Sequence, residues 1–173
     1  MRDIVDLVTK LREGAAVERA HTLPHHGSYS NGAHQYAATM LLFTLHPDPS
    51  MNLVKAMMTH DLGERWCGDV PAPTKWSDGE FAKRIGAMEK QCLAHLGYDM
   101  ILSSENWEWL DACDKLELLL WAKDQLAMGN QNVATCLGNL LAWFKANINR
   151  IPKPVQDFIT THEWTRTPDV LPK

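Results

Sequence analysis

The chain has 173 residues, 45% of them hydrophobic and 22% charged, with a formal net charge of −4 and an isoelectric point near 6.0. This length supports one domain that buries roughly 70% of its unfolded surface, and the composition places it with water-soluble globular chains rather than disordered or membrane-embedded ones. The acidic balance argues against a binder of long nucleic acid, which needs a broad basic face, but leaves room for a small anion met by a few cations and a metal.

Apolar residues recur at helical spacing almost throughout, and no stretch alternates with period two, so the expected fold is all-α: a single bundle of six to seven helices spanning residues 1–173. A first helix is predicted over residues 3–12, with Ile4, Leu7, Val8 and Leu11 on one face. A polar loop over residues 22–32 leads to a second helix at 33–45. His46-Pro47-Asp48-Pro49 stops that helix, because proline lacks an amide donor and biases its predecessor away from helical angles. Ser50 then caps a third helix over 51–64, and Gly68 with Pro71 and Pro73 reads as an ordered loop. Ser77 or Asp78 opens a fourth helix reaching residue 96. Ser103-Ser104-Glu105 opens a long one ending near Gly129, which can take the left-handed position after a helix. Two more fit at 131–147 and 154–162, and the tail from Thr165 to Lys173 reads as frayed.

The longest apolar run, from Leu116 to Ala122, falls far short of the roughly 20 residues of a membrane span and is broken by Glu117. Met1-Arg2-Asp3 opens an amphipathic stretch without the apolar block of a signal peptide, so the expected location is the cytoplasm. Cys67, Cys92, Cys113 and Cys136 form no C-x-x-C pair and read as buried small hydrophobes.

The informative segment begins at His60-Asp61 and continues through Leu62, Gly63, Glu64, Arg65, Trp66, Cys67, Gly68, Asp69, Val70, Pro71, Ala72, Pro73, Thr74, Lys75 and Trp76. The dipeptide alone has little specificity. Glu64, however, lies one helical turn beyond both His60 and Asp61, so all three can face one cleft, and Asp69 can fold back over it. His34, near the start of the second helix, and Asp114, amid apolar residues of the long one, can complete a site of two nitrogens and two oxygens. That donor set suits manganese, cobalt, iron or zinc better than calcium. Asp114 also has a plainer reading, as an exposed partner of Lys115 or Arg65.

The order His34, His60-Asp61, Asp114 resembles the H…HD…D signature of the HD-domain phosphohydrolases. Residues 60–76 are similar to the H-D-x-x-E-x-x-x-G-D-x-P-x-P-x-K-aromatic stretch of the YfbR-like 5'-deoxynucleotidases, and residues 114–130 to their last ligand helix. Arg19 matches that branch's N-terminal arginine, and the compact chain also resembles virus-encoded dATP triphosphohydrolases of the same branch. The resemblance implies that His34, His60, Asp61 and Asp114 hold a divalent metal, with cobalt, manganese and zinc foremost and magnesium a further candidate. Glu64 and Asp69 would position a water and move protons, while Arg19 and Lys75 would neutralise phosphate charge. The implied substrate is a deoxynucleotide, with dATP favoured and dADP and dAMP as further substrates, and the implied assembly a homo-oligomer, dimer or hexamer.

The chain departs from the family pattern at Ala33, where a Glu usually precedes the first ligand, and at Asp111, where a Lys or Arg is common. Ala20 replaces the aromatic residue that follows the arginine, with His21 or Trp76 as substitutes near the nucleoside. The loop residues His25, His26, Ser28, Tyr29, Ser30 and Asn31 form a dense set of hydrogen-bonding groups that either meet solvent or cover the substrate. Trp107, Trp109, Trp121 and Trp143 read as core or subunit-interface packing, and Trp66 and Trp76 as rim or packing residues. A phosphodiesterase or guanosine polyphosphate hydrolase and a non-catalytic nucleotide binder are the competing readings.

Overall fold

The computed structural model describes residues 3–161. The predicted end of the last helix at His162 and the tail from Thr165 to Lys173 lie outside the described residues, as do Met1 and Arg2. The described chain contains eight α-helices and two 3₁₀ turns: α1 (Ile4–Ala15), α2 (Asn31–Leu45), α3 (Met51–Thr59), a 3₁₀ turn (Leu62–Trp66), α4 (Ala72–Ser77), α5 (Gly79–Leu96), α6 (Ser104–Ala127), a second 3₁₀ turn (Gln131–Val133), α7 (Ala134–Ala146) and α8 (Lys153–Thr161). The all-α expectation holds, with more elements than the six or seven foreseen.

Helix starts follow capping chemistry. Asp3, Ser30, Ser50, Asp78 and Ser103 each turn a side-chain oxygen onto an amide of the first turn that has no intrahelical partner. Gly97 and Gly129 take positive φ angles of 83° and 89° just past α5 and α6.

The first helix runs on to Ala15 and the second begins at Asn31, and three further differences from the sequence expectation each have a local reason. The third helix ends at Thr59 instead of running to residue 64, because side chains take up its last carbonyls: His60 Nδ1 lies 2.9 Å from Met57 O. Gln35 donates to Met58 O at 2.9 Å and accepts from the Asp61 amide at 3.2 Å. The Pro71–Pro73 stretch was expected as loop, yet it begins α4; proline suits a first helical turn, where no amide donor is required. The helix expected over 131–147 is preceded by a 3₁₀ turn capped by Asn130.

Two apolar clusters organise these elements. The larger gathers Leu42, Leu53, Met57, Leu116, Leu119, Val133, Phe144 and Val155 from α2, α3, α6, the second 3₁₀ turn, α7 and α8, and α2 packs most extensively on α6. The smaller joins Leu62, Cys92 and Leu96 to Leu7 and Leu11 of α1. His60 and Asp61 lie on the chain between Met57 of the first cluster and Leu62 of the second. Cys92 and Cys113 are buried as expected, whereas Cys67 and Cys136 are only partly so. Trp109 is in the core, but Trp107 is 54% exposed and takes no part in it. No helix of the described residues is long and apolar enough to cross a membrane.

The first 3₁₀ turn and α5 approach so closely that a Cβ at Gly63 would stand 2.6 Å from both Cα and O of Glu89. Backbone cannot swing aside as a side chain can. Gly63→Ala should therefore cost about 1–3 kcal/mol of stability, read from urea unfolding midpoints; an unchanged midpoint would show that the two elements separate freely.

Candidate metal centre

Four side chains foreseen from the sequence meet at one point. His34 comes from the first turn of α2, His60 and Asp61 from the break after α3, and Asp114 from the middle of α6. One ligand atom from each lies within 4.8 Å of the others. His34 Nε2 is 2.9 Å from Asp114 Oδ1 and 3.7 Å from Asp61 Oδ2. His60 Nε2 is 3.2 Å from Asp61 Oδ2 and 3.5 Å from Asp114 Oδ1, and the two Nε2 atoms are 3.4 Å apart. Ligands on a tetrahedron with metal bonds of about 2.0–2.1 Å stand roughly 3.3 Å from one another, so these separations suit a small divalent ion.

The hydrogen bonds behind the imidazoles decide what they offer. His60 Nδ1 faces Met57 O at 2.9 Å, and His34 Nδ1 faces Glu117 Oε2. Each Nδ1 therefore donates, and in the neutral rings each Nε2 presents a lone pair to the other and to two carboxylates. Four acceptors converging without a hydrogen between them repel one another. A metal ion at their centre resolves that conflict, and the donor set fits one.

Protons resolve it otherwise. Burial opposes charge on both histidines, yet the hydrogen bonds that protonated His34 donates to Asp114 and Glu117 outweigh it, as does the negative field of Asp61 and Asp114 at His60, so both pKa values are raised. The carboxylates respond in mirror image. Burial pushes Asp61 and Asp114 up, but His60 and Arg19 hold Asp61, and His34 and His60 hold Asp114, below the ordinary range.

Arg19 reaches this cluster from the segment between α1 and α2, where the Arg19 amide donates to Tyr29 O at 2.7 Å and the Asn31 amide to Val17 O at 2.9 Å. Its guanidinium pairs with Asp61 Oδ2 and donates to Asn31 Oδ1 at 3.2 Å. Its Nε is buried, with no hydrogen-bond partner among the described residues. Glu64, on the 3₁₀ turn rather than on a continuing helix, still faces inward. It is buried and accepts from Asn31 Nδ2 at 3.0 Å. Burial first, then the neighbouring Asp61 charge, pushes its carboxyl up to about 7. Asp69 folds back as foreseen, accepting the Ala20 amide at 2.9 Å. Ala20 has φ +51°, a left-handed conformation costly for a residue with a Cβ.

Other expected residues stand apart. Lys75 Nζ pairs with Glu89 Oε1 at 3.4 Å, and His21 is exposed, as is Trp76 at 69%. Among the described residues, no hydrogen bond or ion pair joins these three to the four-residue cluster. Nor is Asp114 a partner of Lys115 or Arg65, which pair with Asp111 and Glu13. Of the residues expected in the loop, Tyr29 and Asn31, the latter the first residue of α2, are buried supports rather than an exposed cover. His26 is held by Gln125, which accepts its amide at 2.8 Å and donates to its carbonyl at 2.9 Å.

Sequence reasoning missed Glu117, treating it only as a break in an apolar run. A partial signal was present: Asp114 and Glu117 are three apart on one helix and must share a face, which sets Glu117 beside the cluster without naming its partner. Asn31, which bridges Arg19, the Asp61 carbonyl and Glu64, left no comparable trace.

No family model matches the chain, and no curated protein does. Solved structures do. An HD phosphohydrolase of cyanophage S-2L, DatZ, solved bound to dA and one catalytic Zn²⁺ ion, aligns over 92% of this chain and 93% of its own at TM-score 0.70 and 19% identity. An HD-domain phosphohydrolase from Listeria innocua aligns over 91% and 86% at TM-score 0.73 and 16% identity. The chain has the HD-domain fold. Within that HD fold, the H…HD…D order of the sequence corresponds to three elements, α2, the α3 break and α6, bringing four candidate ligands to one point.

The pKa shifts set a pH dependence. A histidine raised above 6.5 contributes stability that is complete below 6.5 and lost as pH rises through its folded value. A carboxylate lowered below 3.8 contributes stability present above 3.8 and lost as pH falls through its folded value. Metal-free protein should thus melt highest between these limits and lose stability as pH climbs past the raised histidine values. Thermal melts in excess chelator check this; a melting temperature that keeps rising through that range would contradict it.

Proposed function

We propose that the chain is a metal-dependent phosphohydrolase acting on deoxynucleotides, with dATP the favoured substrate and deoxyadenosine and triphosphate the products. The observation that carries this reading is the convergence of two imidazole Nε2 lone pairs and two carboxylates on one point, with both Nδ1 atoms already engaged. The likeness in fold to a phage enzyme solved with dA and a catalytic zinc supports the substrate class.

His34, His60, Asp61 and Asp114 would hold a divalent ion, zinc, cobalt or manganese, whose Lewis acidity acts on a phosphoryl oxygen and on the attacking water. Glu64 takes the proton of that water as it attacks the phosphorus nearest the sugar. Burial of the Glu64 carboxyl disfavours its charged form and so favours uptake of a proton. The phosphorus–oxygen bond to the 5′ oxygen breaks, and that oxygen takes up the proton that Glu64 received from the water, which returns Glu64 to its starting state. Arg19 is the phosphate partner: its guanidinium, already beside Asp61, carries a permanent positive charge that offsets the charge gathering on the phosphate oxygens. Asp69 acts partly through Ala20, whose amide it holds beside Arg19, while its second oxygen serves water positioning. Lys75 must exchange Glu89 for phosphate to take part, and His21 and Trp76 would contact the nucleoside from the exposed rim.

A homo-oligomer belongs to the same reading. Tyr36, Met40 and Phe43, exposed at successive turns of one face of α2, support it; light scattering giving a monomer mass would remove that part.

Product analysis tests the chemistry: purified protein with each dNTP and dNMP, with and without cobalt or manganese. Deoxyadenosine plus triphosphate from dATP is expected, lost in Asp61→Asn. Glu64→Gln should lower kcat by about 10²–10⁴-fold while metal still binds. Phosphate from dNMPs alone would make the protein a 5′-deoxynucleotidase, and no release from any deoxynucleotide would overturn the reading.

A further inference from the structure

We infer that Glu117, held by Tyr29, is the positioning residue that orients His34 for the metal; this rests on reading the four-residue cluster as a metal centre. His34 is completely enclosed, and both of its nitrogens meet carboxylates from one face of α6. Nε2 lies 2.9 Å from Asp114 Oδ1, and Nδ1 faces Glu117 Oε2. Asp114 and Glu117 are three residues apart, so a single helical turn addresses both edges of one ring.

The same Glu117 oxygen accepts the Tyr29 hydroxyl, and Tyr29 Oη is 3.3 Å from His34 Nδ1. The phenol ring is fixed in turn. It stacks on Trp121 at 4.5 Å between centroids and 12° between planes, and Trp121 lies one turn beyond Glu117 on α6. Tyr29, Glu117 and His34 thus form a closed triangle braced against the helix that bears the ligand Asp114. Two chemical consequences follow. The Glu117 carboxylate requires a hydrogen on His34 Nδ1, which forces the Nε2 lone pair toward the metal position, and its negative charge makes that lone pair a stronger donor than a carbonyl partner would.

Such support is worth about 10- to 100-fold in metal affinity. Zinc titration against a competing chromophoric chelator measures it, and long-range proton–nitrogen correlation on ¹⁵N-histidine-labelled, zinc-loaded protein reports which ring nitrogen carries the hydrogen. Wild type should show His34 protonated at Nδ1. Glu117→Gln, which keeps shape and an acceptor but not charge, should bind zinc about 10-fold or more weakly. Tyr29→Phe should lose less, and the double variant should be no worse than Glu117→Gln, because Tyr29 acts through Glu117.

Wild-type zinc affinity in folded Glu117→Gln would overturn the inference and leave Glu117 a buried core polar group. Should that variant fail to fold, a folded Tyr29→Phe with unaltered zinc affinity and an unaltered His34 signal would overturn it instead. Failure of the wild-type chain to bind zinc would sink the metal-centre reading itself, a result distinguishable from tight wild-type binding that ignores Glu117.

Discussion

A fully buried imidazole can hold only one neutral tautomer at a time, and the partner of one nitrogen decides what the other can do. In this protein His34 sits without solvent contact between Asp114 and Glu117. Its orientation is a property of α6 as much as of α2, the helix that carries it. The close packing of α2 on α6 is the condition for the whole centre: the two helices must sit near enough for one turn of α6 to reach both edges of a ring on α2. The apolar cluster around Leu42, Leu116 and Leu119 supplies that contact.

The second pair of candidate ligands depends on a helix being stopped. His60 and Asp61 are adjacent, and on an uninterrupted helix their side chains would diverge by about 100°. The carbonyls of Met57 and Met58 are instead taken by His60 Nδ1 and Gln35. The chain then turns into a 3₁₀ segment, and both side chains face the cluster. Gly63 lets that segment lie directly on α5, and Leu62 anchors it in the smaller apolar cluster. The site is therefore clamped between two cores, one on each side of the dipeptide.

Electrostatics around the centre are graded. Asp61 is stabilised as an anion by His60 and Arg19, whereas the nearby, more deeply buried Glu64 is pushed the other way by burial and by the Asp61 charge. Two carboxylates a few residues apart on one segment are thus separated in acidity, one fit to remain charged and the other to exchange a proton. Asn31 ties the pair together, donating to Glu64 and to the Asp61 carbonyl and accepting from Arg19.

Most of the helices, the caps Ser50, Asp78 and Ser103, and the four converging residues were legible in the chain. Capping side chains, proline stops and terminal glycines act within a few residues, and the spacing from His34 through His60-Asp61 to Asp114 preserves a pattern that the HD fold realises. What the tertiary structure alone decided were the long-range partners. Glu117 became the counterpart of His34 across 83 residues, Asp69 took the Ala20 amide across 49, and Gln125 caught His26 across 99. Lys75 and Trp76, inside the strongest sequence match, ended on Glu89 and in solvent. Local periodicity says which face of a helix is apolar, but a buried polar side chain finds its partner only when another element arrives beside it, and no spacing along the chain encodes which one will.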